Sequence, residues 1–181
     1  GIGESEVGKI LATGYGRSSI GFAEKTISEI TAHARGVDYL IPAAHTIIDI
    51  GGQDSKVIIT ENGKVVDFLM NDRCAAGTGK FLEYTAKALE ISLDELGTLA
   101  LVSKNPAKIS SMCTVFAESE VISLRAQKTK KEDIAAGLIE SIILRTITMV
   151  KKMGIKPAVA FVGGVAKNPG VVKAFEKALD I

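Results

Sequence analysis

Apolar positions along the chain recur with two different periods, and the switches between them mark out its elements. The run Thr46-Ile47-Ile48-Asp49-Ile50 is nearly continuous in apolar residues and stops at Gly51-Gly52-Gln53-Asp54. Two strand-like segments follow, Ser55 to Thr60 and Lys64 to Met70, separated by Glu61-Asn62-Gly63. Asn-Gly between two such segments is the strongest short-range hairpin signal, because both residues tolerate the positive φ of a tight turn. Three successive strands are expected, with a glycine turn between the first and second.

The remaining elements read outward from there. Val7 to Thr13 reads as a strand ended by a glycine-rich turn at Gly14-Tyr15-Gly16-Arg17-Ser18. Lys25 to Ala34 reads as a helix with Ile27, Ile30 and Ala34 on one face. Phe81, Leu82, Thr85 and Leu89 share a helical stripe, which makes Gly79 to Glu90 an amphipathic helix. Ser92 to Glu95 is a capping box, Pro106 breaks the chain, and Lys108 to Ser111 is a short extended piece. A helix begins at Thr114. A second capping box, Thr129 to Glu132, opens another with Ile134, Leu138, Ile142 and Val150 inward, ending near Gly154. Ala158 to Val162 is a continuous apolar strand, buried on both faces by its composition, and it breaks at Gly163-Gly164. Asn168 then caps a helix with Pro169 at its first position and Val172, Phe175 and Leu179 as its inner face. Strands and helices together make this an α/β chain.

Composition narrows this picture little but usefully. The chain has 181 residues, 46% of them hydrophobic, enough for a large core. A net charge of +1 offers no broad electrostatic attraction to nucleic acid or anionic membrane. No apolar run reaches the length of a membrane span, and two cysteines without a secretory signal point to a reducing cytoplasm. The opening Gly1-Ile2-Gly3-Glu4, without an initiator Met, reads as a fragment joined to an ongoing structure.

Candidate chemistry gathers at the glycine turns and the two cysteines. Glycines at 51 and 52 let backbone N–H groups approach an anion, and Asp49 and Asp54 add carboxylates suited to a hydrated Mg²⁺. The layout strand, glycine pair, helix recurs at Gly163-Gly164. Two such turns are better evidence for a nucleotide than one. Cys74 and Cys113 each precede a predicted helix, whose N–H groups and dipole would favour thiolate. Spacing alone leaves them open as thiolates, as small buried apolar residues, or as a disulfide. His33 and His45 lack metal-ligand spacing and read as surface or helix-end histidines. Glu118 and Glu120 suit the start of their helix, but being two apart they point to different faces, against a paired-carboxylate site.

The runs DIGGQDSKVI, MNDRCAAGTGKFLEYTAKALEI, SSMCTVFAESEVIS and FVGGVAKNPGVVKA together resemble the activator ATPases of 2-hydroxyacyl-CoA dehydratases. The wider family includes the ATPase subunits of benzoyl-CoA reductase. The resemblance runs from about Ile10 to the last residue. It implies the actin, Hsp70 and sugar-kinase fold: two ribonuclease-H-like lobes with ATP or ADP and Mg²⁺ in the cleft. Residues 1–44 would end the first lobe and 45–181 form most of the second. The N-terminal hairpin and the C-terminal strand and helix of such proteins do not appear in this sequence.

By the same resemblance, Cys74 and Cys113 match cysteines that hold one [4Fe–4S] cluster between the subunits of a homodimer. The phosphate turn matches Asp49 to Asp54, and the adenosine turn matches Gly163 to Asn168, with Gly164, Ala166 and Lys167 between. Asp49 would hold Mg²⁺ through water, Gly51, Gly52 and Asp54 would lie along the phosphates, and Gln53 would orient the attacking water. ATP would switch the angle between cluster-bearing helices, sending one electron to a dehydratase component after loading by ferredoxin or flavodoxin. Two other classes remain open at this point: a sugar-type small-molecule kinase, and a non-catalytic lobe of a larger activase-like protein.

Overall fold

Every one of the five residues of β3 (Thr46–Ile50) is buried, and the other layers are arranged on it. The structure, a computed structural model, describes residues 6–110 and 113–181. β3 pairs antiparallel with β4 (Ser55–Glu61), and β4 with β5 (Lys64–Asn71). On its other side β3 runs parallel to β6 (Val159–Val162), which gives the order β5-β4-β3-β6. The β4–β5 turn places Asn62 and Gly63 at φ 51° and 66°, the left-handed pair that the Asn-Gly signal requires. A separate short parallel pair joins β1 (Leu11–Ala12) to β2 (Lys25–Thr26).

Because side chains alternate across a strand, β3 serves two cores at once. Ile47 joins Ile58 and Ala160 against Ile30, Ala34 and Val37 of α1 (Glu29–Leu40). Ile48 and Ile50 face the larger core, built by α2 (Gly79–Ala88), α3 (Leu93–Val102), α4 (Thr114–Ala126), α5 (Lys131–Met153) and α6 (Pro169–Leu179). Burying one such side chain is worth about 2 kcal/mol, and the long α5 packs on β4 and β5. Among the described residues, no helix is long and apolar enough to cross a membrane.

Several expected elements fall elsewhere. The strand expected over Val7 to Thr13 is only Leu11–Ala12. The helix expected from Lys25 begins at Glu29, because the Ser28 hydroxyl caps Thr31 N–H at 3.1 Å and the preceding residues pair with β1. The capping box at Ser92 and Glu95 forms in full, whereas α5 starts from Lys130 with no side-chain cap, so Thr129 does not act as one. Residues 108–110 form no strand. There the carboxylate of Glu120 accepts from the N–H and hydroxyl of Ser110, and Ser111 lies outside the described residues. β6 is an edge strand on which Ala160 alone is fully buried. α6 turns Val171 and Phe175 inward rather than Val172.

Candidate nucleotide and thiol site

β3 and β6 are parallel neighbours, so the two glycine pairs that follow them emerge at the same edge of the sheet. Between them and α2 and α3 opens a cavity of about 310 Å³ lined by Gly51, Gly52, Gly79, Glu83, Asp94, Gly164, Lys167 and Asn168, with Leu82, Leu93 and Val165 as apolar walls. A Cβ on Gly52 or Gly164 would meet nothing within 4 Å, so both present bare backbone to open space. The carbonyls of Gly51 and Gly52 accept from the N–H groups of Gly79 and Lys80, both at 2.8 Å, and so cap α2. Asn168 caps α6 with its side chain, accepting from Val171 N–H at 3.1 Å, and donates to the Leu93 carbonyl at 3.3 Å.

Beneath the turns lies a charged network. Asp49 and Lys56 stand opposite each other on β3 and β4. The buried Lys56 ammonium bridges Asp49 Oδ2 at 3.3 Å and Asp54 Oδ1 at 2.8 Å. His33, on α1, brings Nδ1 to 2.8 Å from the same Asp49 Oδ2, and the Tyr15 hydroxyl donates to Asp54 Oδ2 at 3.4 Å. Burial pushes the Asp49 carboxyl up, but the His33 hydrogen bond and the charges of His33 and Lys56 outweigh it and hold it below the ordinary range. The Asp49 hydrogen bond raises the His33 imidazole against the opposing effect of burial. Burial pulls Lys56 down, yet Asp54 and Asp49 keep it above its usual value. His33 is thus a partner of the buried carboxylate, not an ordinary surface histidine. His45 Nδ1 sits 3.4 Å from the Thr60 carbonyl of β4, a contact to main chain.

Both cysteines are free and exposed, which removes the buried-packing and disulfide alternatives. Cys113 is the N-cap residue of α4. Cys74 stands five positions ahead of α2, in a loop, and the first N–H groups of that helix go to Gly51 and Gly52. The helix-start argument therefore applies to Cys113 alone. α2 and α4 pack on each other, and their buried Phe81, Leu82, Ala117 and Val121 belong to the larger core.

Of the expected site residues, Gly51, Gly52, Gly164, Lys167 and Asn168 line one cavity. Asp49, Gln53, Asp54, Gly163 and Ala166 do not: Gln53 is at the exposed tip of its turn, Asp49 is buried below, and Gly163 is exposed with its missing side chain aimed at Ile50 and Asp49. Gly79, Glu83, Leu93 and Asp94 were not anticipated. The capping box at Ser92 was the available signal for the last two, since it marks where α3 presents its first turn. A larger cavity of about 530 Å³ lies elsewhere, between the end of β5, the loop after it and α5, and contains neither glycine turn.

The chain is similar to known proteins in both sequence and fold. The sequence pattern of the BadF/BadG/BcrA/BcrD ATPase family matches residues 1–180. The crystal structure of (R)-2-hydroxyglutaryl-CoA dehydratase component A from Acidaminococcus fermentans superimposes with a TM-score of 0.93 at 48% identity, over 98% of this chain and 69% of that one. The activator of 2-hydroxyisocaproyl-CoA dehydratase from Clostridium difficile, solved with bound ADPNP, gives 0.92 at 48% identity, over 99% and 67%. The activator of lactoyl-CoA dehydratase from Anaerotignum propionicum is 47% identical over 96% of this chain and 68% of its own length. The chain spans about two thirds of the length of these relatives.

Proposed function

The chain belongs to the BadF/BadG/BcrA/BcrD ATPase family, with the α/β fold of actin-like ATPases, and on that premise we propose that it works as an ATP-driven activator of a 2-hydroxyacyl-CoA dehydratase or related acyl-CoA reductase. In this reading it passes one electron from a [4Fe–4S] cluster to its partner. The observation that carries the reading is that one turn, Gly51-Gly52, both lines the cavity and caps the helix that follows Cys74.

The backbone at Gly52 and Gly164 takes the nucleotide, the first along its phosphates and the second beside adenosine, with Lys167 and Asn168 completing that side. Lys56 directly neutralises both Asp49 and Asp54, so this donor set fits Mg²⁺ in its outer sphere, through water. Gln53, at the tip of the turn, orients the attacking water. Two exposed thiols per chain fit a four-thiolate cluster when two chains meet, so Cys74 and Cys113 of each chain would hold it between the subunits of a homodimer. When bound, the cluster supplies a low-potential electron, taken from a ferredoxin or flavodoxin. The residues of this chain position it and couple its place to the nucleotide turn. The lobe boundary at residue 44 and a place in the cytoplasm belong to the same reading.

Anaerobic reconstitution followed by iron and sulfide analysis and sizing tests it. About four of each per two chains are expected, with loss of colour and of the dimer in Cys74→Ser and Cys113→Ser. A colourless monomer that still binds ATP would overturn the electron-transfer reading and leave a kinase-like or non-catalytic nucleotide-binding lobe.

A further inference from the structure

The loop that carries Cys74 is held at both ends by the elements that form the Gly51-Gly52 turn. β5 ends at Asn71, whose register partner is Ser55, the residue directly after Asp54. The Asn71 amide nitrogen donates to the carbonyls of Cys74 and Ala76, both at 2.9 Å. Arg145 of α5 brings its guanidinium to 3.5 Å from Asn71 Oδ1. It also lies under Gly77, where φ is 83° and a Cβ would come to 2.8 Å from Arg145 Cδ. At the far end the Thr78 hydroxyl donates to the Ala75 carbonyl at 2.6 Å. Gly79 and Lys80 then bond back to the carbonyls of Gly51 and Gly52.

We propose that Asn71, backed by Arg145, is a positioning residue that fixes Cys74 and ties its place to the Gly51-Gly52 turn. The amide does this because one side chain spans two loop carbonyls from the end of a rigid strand, leaving the sulfur exposed while the backbone beneath it is clamped. A displacement of the turn moves both anchors of the loop together, through the β4–β5 pairing at one end and α2 at the other. The functional meaning rests on the reading above, that the turn binds nucleotide and that Cys74 holds the cluster. The clamp itself is a matter of geometry.

The test uses the full chain, chelator-treated, with Cys113→Ser so that a nitroxide label reacts at Cys74 alone. Its spectrum is expected to show a dominant immobilised component that is lost in Asn71→Ala and partly recovered in Asn71→Gln, which keeps the amide donor. A label on Cys113 in the Cys74→Ser chain should keep its spectrum when Asn71→Ala is added. Arg145→Ala, which leaves β5 untouched, is the second variant and should give the same loss in part. An unchanged Cys74 spectrum in both variants, or equal loosening at Cys113, overturns the clamp. A non-hydrolysable ATP analogue should shift the Cys74 spectrum of the chain with Asn71 intact and not that of Asn71→Ala. Binding by calorimetry without any shift overturns the tie to the turn. Absence of binding overturns the nucleotide reading instead, and the spectra without nucleotide still decide for or against the clamp.

Discussion

The two glycine pairs follow neighbouring parallel strands and look interchangeable in sequence, yet they are built differently. At the first, a Cβ on Gly51 would stand 3.0 Å from Asp54 Oδ1, the movable end of a side chain. At the second, Gly163 has φ 88°, and a Cβ there would run into the Ile50 carbonyl oxygen and lie 2.6 Å from Asp49 Oδ1. The partner glycine in each pair, Gly52 or Gly164, faces open space. In each pair one glycine is packed close to its neighbours and the other borders open space. The helices that follow differ too: Gly51 and Gly52 serve α2 with main-chain carbonyls, which no substitution removes, and Asn168 serves α6 with a side chain.

The sharpest way to break this division is Gly163→Ala. Left-handed backbone in a residue with a Cβ costs on the order of 1–3 kcal/mol, and the collision with the β3 backbone adds to it. A loss of about 4 kcal/mol or complete unfolding is expected in urea titration, against a much smaller loss for Gly51→Ala. Equal losses would erase the distinction. Next in size, Gly52→Val and Gly164→Val should keep the melting temperature and lose about a hundredfold or more in ATP affinity by calorimetry, since the added carbons fill ligand space alone. Normal binding by either variant makes that turn structural. Smaller again, Asn168→Ala should cost about 1 kcal/mol, the ordinary value of a helix N-cap. A loss within a few tenths would mean that water serves α6 as well as the side chain does.

The sequence revealed those features whose cause is local. Asn62-Gly63, the Ser92–Glu95 box, the Asn168-Pro169 helix start and the stripe on α2 each depend on residues within a few positions, and each stands where it was read. The α/β class and the glycine turns were legible for the same reason. Long-range effects were not. Nothing near Gly163 announces that its missing side chain makes room for Ile50 and Asp49 of another strand. His33 looked ordinary because its partner lies on β3, across the α1–sheet interface. Glu83 and Asp94 reach the cavity because α2 and α3 converge, which no periodicity states. The Thr129 box failed because a motif of the right spacing supplies a cap only when the backbone starts there, and α5 starts one residue later.

The smallest expected effect tests the joint between the two turns, where Asp49 lies against Gly163 on one side and shares Lys56 with Asp54 on the other. His33→Ala removes one of the two cations on Asp49. Stability of both chains, free of nucleotide and metal, would be compared by urea titration across pH. The folded His33 imidazole is raised by its Asp49 bond, so its contribution is fully present below the unfolded value of about 6.5 and is lost as pH rises through the raised one. The Asp49 carboxyl is held low, so its part is present above about 3.9 and is lost as pH falls through the lowered value. The difference between the two chains should therefore be largest from about pH 4 to 6.5 and shrink on either side. The imidazole side chain is 43% exposed, so solvent screens the pair and the maximum should stay at about 1 kcal/mol or less. A difference that grows above pH 7 would mean that His33 acts as a neutral packing group. A flat difference would mean that Lys56 alone satisfies Asp49, so that the joint between the turns is made by β3 and β4 without α1.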